Sequence, residues 1–213
     1  MLKLSHIHKQ YSPQGQWVLE DFSFELKTNE TVAIVGKSGR GKTSLINIVG
    51  LLDDNYEGQY QLGSQSLKSL SRHKQATIRN RHFGFVFQSP LLISHLTVLD
   101  NIGLPLLYQG ISTNEIKCRV MDLLEKFELT NLSKRLPKAL SGGQKQRISI
   151  LRALIHQPKC IIADEPTSQL DIATQHHIVD ELFSYQQQTQ CSMILVTHQP
   201  LVAQRCDRIV DMV

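Results

Sequence analysis

The chain has 213 residues, a formal net charge of +4 and an apolar fraction of 41%, which excludes a disordered, a collagen-like and a coiled-coil chain and supports one domain with a sizeable core. Its longest apolar runs, such as 48–52, reach about five residues against the ~18 of a membrane span, and Met1–His6 has no apolar stretch of signal-peptide length. A soluble chain that stays where it is made is expected, and a charge of +4 does not by itself point to nucleic acid.

Taken in chain order, Leu2–His8 and Leu19–Leu26 suggest antiparallel strands, the latter with Leu19, Phe22, Phe24 and Leu26 apolar. Thr31–Val35 reads as a buried strand, interrupted by 36–41. Lys42–Leu52 then reads as a helix with Leu45, Val49 and Leu52 on one face. Arg72, His73, Lys74, Arg79, Arg81 and His82 form a loose basic stretch, read as a solvated face. Phe83–Phe87 is a further strand. Ser89–Tyr108 is unusually apolar for a connecting segment, and Pro90 and Pro105 are expected to break it. Some of its side chains would pack inside, and the rest would offer a groove to a partner.

Ser112-Thr113-Asn114-Glu115 matches a capping box. Ile116, Val120, Leu123, Leu124 and Phe127 follow at helical spacing, and Gln144–Gln157 reads as a helix with Ile148, Leu151 and Ile155 inward. Cys160–Ala163 and Met193–Val196 close the series of strands. The expected fold is α/β with a parallel sheet, an N-terminal antiparallel subdomain, and a helical subdomain (89–157) inserted into a core formed by 1–88 and 158–213. Cys118, Cys160, Cys191 and Cys206 make no C-x-x-C pair and read as buried free thiols. The pairs His6/His8 and His176/His177 lack the neighbours that would complete a metal site.

Three motifs carry chemistry. Gly36-Lys37-Ser38-Gly39-Arg40-Gly41-Lys42-Thr43 fits G-x-x-x-x-G-K-[ST], with a strand before it and a helix after it. Glycines let successive N–H groups turn inward, the helix start adds partial positive charge, Lys42 is a compact cation for β- and γ-phosphates, and the Thr43 hydroxyl suits Mg²⁺. Ile161–Glu165 is a buried strand ending in two acids. Asp164 is placed to hold Mg²⁺ through water, and Glu165 to accept a proton from attacking water. Leu140-Ser141-Gly142-Gly143-Gln144 opens a helix and makes a second anion cradle, or else an ordinary Ser cap with flexible glycines.

In that order, the three motifs resemble the nucleotide-binding subunit of an ABC transporter, whose signature Leu140–Gln144 matches. The resemblance covers essentially the whole chain and implies one ABC ATPase domain over residues 1–213 that binds ATP and Mg²⁺ and hydrolyses ATP. It implies that Tyr11 stacks on adenine and that Gly36, Ser38, Gly39, Gly41, Lys42, Thr43 and Ser44 hold the phosphates. It further implies that Gln88 joins Thr43 and Asp164 at the metal and couples nucleotide to the membrane partner, and that His198 contacts the γ-phosphate. Ser141, Gly142, Gly143 and Gln144, with Asp171 in the crossing loop Ser168–Asp171, would reach a second copy. One phosphate loop and one signature per chain imply a head-to-tail homodimer, peripheral on the inner face of the cell membrane through an integral permease. Asp100–Tyr108 and Ala163–Thr167 resemble the branch serving lipoprotein release, macrolide and peptide efflux, and division complexes. Gln169, Lys145 and Leu151 depart from that branch's usual residues. Nucleic acid is not an expected partner. The alternatives are a soluble ABC-type ATPase acting on DNA or ribosomes, which usually carries insertions absent here, and a small-molecule kinase, which leaves Ser141–Gln144 and His198 unexplained.

Overall fold

A computed structural model of the chain describes residues 1–12 and 15–212. It comprises two compact units, Met1–Arg79 with Gln190–Val213, and Asn80–Thr189.

In the first unit, β1 (Leu2–Lys9), β2 (Leu19–Leu26), β4 (Glu57–Leu62) and β5 (Gln65–Ser66) form an antiparallel sheet in the order β2-β1-β4-β5. Alternation in β1 and β2 buries Leu2, Leu4 and Ile7 with Phe24 and Leu26, and Leu4 lies opposite both Phe24 and Tyr60. A second, parallel set places β3 (Thr31–Val35) between β8 (Ser192–Val196) and β9 (Arg208–Asp211). β3 is apolar on both faces, as a parallel strand covered on both sides must be, and Val32, Ala33 and Ile34 are fully buried. Asp207, just before β9, accepts the Thr31 N–H and hydroxyl, each at 2.8 Å, and so pins the start of β3.

Helix α1 (Lys42–Val49) follows β3 after the glycine loop. It is shorter than the hydrophobic pattern indicates. Gly50 caps it and Leu51 turns to a left-handed φ of 57°, so Leu45 and Val49 are buried but Leu52 is 46% exposed rather than on the inner face. The basic stretch is a helix, α2 (Arg72–His82), in which only Gln75 is buried.

In the second unit β6 (Phe83–Val86) and β7 (Cys160–Asp164) pair in parallel. Helices α3 (Val98–Tyr108), α4 (Thr113–Lys126) and α5 (Gly142–Leu154) share one core of Val98, Ile102, Leu106, Val120, Leu124 and Ile148. Each such side chain contributes roughly 1.5–3 kcal/mol by leaving water. Ser112 caps α4 by accepting the Glu115 N–H, while Thr97 and Ser141 make complete capping boxes for α3 and α5. Pro105 does not end α3, which runs on from it to Tyr108, so the expected break is absent there; the irregular stretch lies before the Thr97 cap. α6 (Ile172–Thr189) completes the unit.

No disulfide joins the four cysteines; Cys160 and Cys191 are buried, but Cys118 is exposed on α4, contrary to the expectation of burial. Among the described residues no helix is long and apolar enough to cross a membrane.

Asn101 is fully buried in α3 and holds the loop ahead of its own helix. Its amide donates to the carbonyls of Ile93, Leu96 and Thr97 at 3.1, 3.1 and 3.0 Å, and its oxygen accepts the Ile93 N–H at 2.8 Å. Asn101→Ala strands those buried groups and is expected to lower the unfolding free energy by about 2–4 kcal/mol in a urea titration. Unchanged stability would contradict the clamp.

Candidate functional site

The sequence-derived site residues divide between the two units. In the first, β3 runs into a loop whose glycines are dictated by geometry. Gly36 and Gly41 have φ of 139° and 83°. A Cβ at Gly36 would sit 2.7 Å from the Met212 carbonyl oxygen, and one at Gly41 would sit 2.6 Å from that of Val18. Backbone approaches so closely that no side chain fits. Gly39 also has a left-handed φ, 82°, but a Cβ there meets nothing within 4 Å. Ser38 and Gly39 are exposed at the loop's crest.

α1 begins on left-handed Gly41, without a side-chain cap and without an acid in its first turn. A helix start of this kind presents N–H donors and partial positive charge to an anion. Lys42 is 7% exposed, and its ammonium donates to the Gly36 and Lys37 carbonyls at 2.7 and 2.9 Å. It thus closes the loop on itself with two of its three donors. Thr43 is exposed and Ser44 is buried. Tyr11 lies in the connection after β1, 66% exposed, with its hydroxyl 2.7 Å from the Ser44 hydroxyl. His198 follows β8 and is exposed. It lines a cleft of about 560 Å³ with Gly36, Lys37, Arg40 and Asp211.

In the second unit, Asp164 ends β7 and Glu165 turns sharply away with a left-handed φ of 45°. That backbone costs a non-glycine residue about 1–2 kcal/mol. It is held by the Ser168 N–H and hydroxyl, which donate to the Glu165 carbonyl at 3.3 and 3.2 Å. Both acids are half-buried. The turn leads to Asp171, which caps α6 by accepting the Thr174 hydroxyl and N–H at 2.6 and 3.0 Å. Those two donors hold the Asp171 carboxyl below its ordinary pKa.

Ser141 starts α5. Its hydroxyl accepts the Gln144 N–H at 3.2 Å while its own N–H donates to the Gln144 side chain at 3.0 Å. Ser141 and Gly142 are exposed. A Cβ on Gly143 would come within 3.0 Å of Thr174, and one on Gly142 within 4.0 Å of Leu170. The signature and the Ser168–Asp171 loop are therefore close neighbours in this unit, and a side chain at Gly143 would require the Thr174 side chain to give way.

Gln88 is exposed just after β6, and side chains on α5 hold the backbone on both sides of it. Gln146, 2% exposed, donates to the Phe87 carbonyl at 3.0 Å. Arg152 donates to the Pro90 and Leu91 carbonyls at 2.8 and 2.9 Å, and burial lowers its pKa. Sequence reasoning passed over both residues. The signal for Gln146 was a polar residue at helical spacing from Ile150 and Ala153, on a face that is otherwise buried.

The Thr43 hydroxyl in the first unit, and the Asp164 carboxylate and Gln88 amide oxygen in the second, are each hard oxygen donors of the kind Mg²⁺ accepts. The glycine cradle, the uncapped helix start and Lys42 suit a polyphosphate.

Residues 19–168 match the family described as ABC transporter. Among curated proteins, the chain is 40% identical over 212 residues to an uncharacterized ABC transporter ATP-binding protein, YknY, of Bacillus subtilis, covering 99% of this chain and 92% of that one. It is 36% identical to the lipoprotein-releasing system ATP-binding protein LolD of Chromohalobacter salexigens, covering 98% and 89%. It is 38% identical to the macrolide export ATP-binding/permease protein MacB of Salmonella typhimurium, covering 99% of this chain but only 33% of that protein. Among solved structures, the dimeric post-hydrolysis state of the ATP-binding cassette MJ0796, bound to ADP and Pi, aligns with a TM-score of 0.91 at 34% identity. It covers 99% of this chain and 94% of that one.

Arg152→Ala removes two bonds that hold the segment after Gln88. Amide exchange in residues 88–97 is expected to accelerate by about tenfold or more while β7 keeps its protection. Equal exchange in variant and parent would refute the clamp.

Proposed function

The chain belongs to the ABC transporter family, and from that premise we propose that it energises a separate, membrane-embedded permease as one half of a head-to-tail homodimer. It is an ATP-binding cassette that hydrolyses ATP. The observation that carries the site reading is the loop from Gly36 to Thr43, where backbone packing excludes side chains and leaves an uncapped helix start beside Lys42.

On this reading Gly36, Ser38, Gly39, Gly41 and Ser44 hold the phosphates through the loop and the start of α1. Lys42 shifts a donor toward the β- and γ-phosphates, and Tyr11 stacks on adenine. Thr43, Gln88 and, through water, Asp164 would hold Mg²⁺, which would supply charge neutralisation to the phosphates when bound. Glu165 takes the proton from the water whose oxygen bonds to the γ-phosphorus, as the bond to the β–γ bridging oxygen breaks and ADP leaves. His198 contacts the γ-phosphate. Ser141, Gly142, Gly143, Gln144 and Asp171 close on the nucleotide of a second copy. The dimeric state of MJ0796 supports that arrangement.

The B. subtilis and C. salexigens relatives are ATP-binding proteins of nearly this length, while the Salmonella relative is named for both ATP binding and permease and is three times longer. These names favour a membrane permease as the partner, with this cassette peripheral on the inner face of the cell membrane. The names favour export or the extrusion of lipoproteins or peptides over an ATPase acting on DNA or ribosomes.

Glu165→Gln keeps shape and hydrogen bonding but not the proton acceptor. ATP turnover is expected to fall by ~10²–10⁴-fold with ATP still bound, and light scattering should report a longer-lived MgATP dimer. Parent-like turnover would overturn the role of Glu165, and a monomer with bound MgATP would count against the dimer. Lys42→Ala should weaken MgATP binding itself, since Lys42 is the buried cation fixed against the loop's own carbonyls while Lys37 and Arg40 are exposed; unchanged affinity would remove Lys42 from the site.

A further inference from the structure

Lys9 ends β1 on an alternating strand, yet it is only 2% exposed. Its ammonium donates to the Asn55 carbonyl at 2.5 Å and pairs with the Asp53 carboxylate at 2.8 Å. It also sits 4.8 Å from the centre of the Tyr11 ring. Two oxygens and one aromatic face thus receive its three protons. Tyr11 is held at a second point by the hydroxyl of Ser44 in α1.

A buried ion pair is a weak source of stability, because removing both charges from water offsets much of their attraction. The more informative fact is what the cation does to the ring. It lies over one face of Tyr11, while the bonded hydroxyl fixes the far end of the ring's axis. With the ring 66% exposed, the opposite face is left for a flat aromatic ligand. The backbone of Lys9 adds a brace: its carbonyl accepts the Val18 N–H at 2.7 Å, and the Val18 carbonyl is the atom that Gly41 packs against. One short segment therefore fixes both the ring and the phosphate loop.

We propose that Lys9 is a positioning residue for nucleotide-base recognition, holding Tyr11 from beneath as a preoriented stacking platform. This rests on the reading of Tyr11 as the adenine contact. The cation adds nothing directly to the phosphates, since its three donors are committed to Asp53, Asn55 and the ring. Its loss should therefore weaken binding of a nucleotide while sparing a polyphosphate that has no base.

The full chain is used, and Lys9→Met is combined with Asp53→Asn so that no buried charge is left alone. Calorimetric titration with MgATP and with magnesium triphosphate separates base from phosphate. The double variant is expected to bind MgATP about tenfold more weakly, on the scale of one lost cation–π and stacking arrangement, with triphosphate affinity unchanged. Adding both changes to Tyr11→Ala should cause no further loss, because the platform is already gone. Asp53→Asn alone, which keeps the cation but loosens its anchor, should show a smaller loss with the same selectivity and covers the case in which the double variant does not fold. Parent-like MgATP affinity, equal loss of both ligands, or additive loss on top of Tyr11→Ala would each overturn the proposal. Tyr11→Ala binding MgATP as the parent does would instead overturn the adenine reading on which it stands.

Discussion

Where β3 gives way to α1, the main chain passes so close to the Met212 and Val18 carbonyls that Gly36 and Gly41 have no space for a Cβ. This steric constraint organises the first unit. It fixes the left-handed turn, which delivers α1 without a side-chain cap, which in turn leaves its first N–H groups for an anion. Lys42 bridges the loop's own carbonyls, so its charge is already in place before any ligand arrives. A side chain at either glycine would have to move the backbone at Val18, just before β2, or at Met212, just after β9.

The second unit is organised by a helix. α5 begins at the Ser141 cap, packs Ile148 and Leu151 into the shared helical core, and reaches out through Gln146 and Arg152 to both sides of Gln88. The signature at the helix start and the loop around Gln88 are thus mounted on one rigid element. The strained Glu165 and the Asp171 cap sit in the turn whose Leu170 and α6 whose Thr174 flank Gly142 and Gly143. These positions are linked to one another by packed contacts and hydrogen bonds within the unit.

Much of this was legible in the sequence because the signals are local. Left-handed glycines, a Ser cap with Gln three residues on, and an apolar run ending in two acids each state their own geometry. Leu19–Leu26 alternates as a half-buried strand must, and α4 shows its buried Ile116, Val120 and Leu124 at helical spacing. What was not legible depends on partners distant in sequence. α2 buries only Gln75, so it has no apolar stripe to read. Lys9 carries no signal of burial in the sequence, since its partner Asp53 lies 44 positions later. Asn101 in an apolar helix signals nothing until the loop it closes is in view, and the end of α1 was missed because Leu52 continues a periodicity that Gly50 and Leu51 terminate.

In the proposed dimer a complete ATPase site needs the phosphate loop of one copy and the signature of another. Mixing two inactive variants, Lys42→Ala and Ser141→Arg, tests it directly. In a head-to-tail heterodimer both defects fall in one composite site, and the other site is built entirely from parent residues. Steady-state ATP hydrolysis should therefore reappear on mixing, at no more than about half the parent rate per dimer. Heterodimers that form, as seen by light scattering with MgATP, yet show no more hydrolysis than either variant alone would contradict the account.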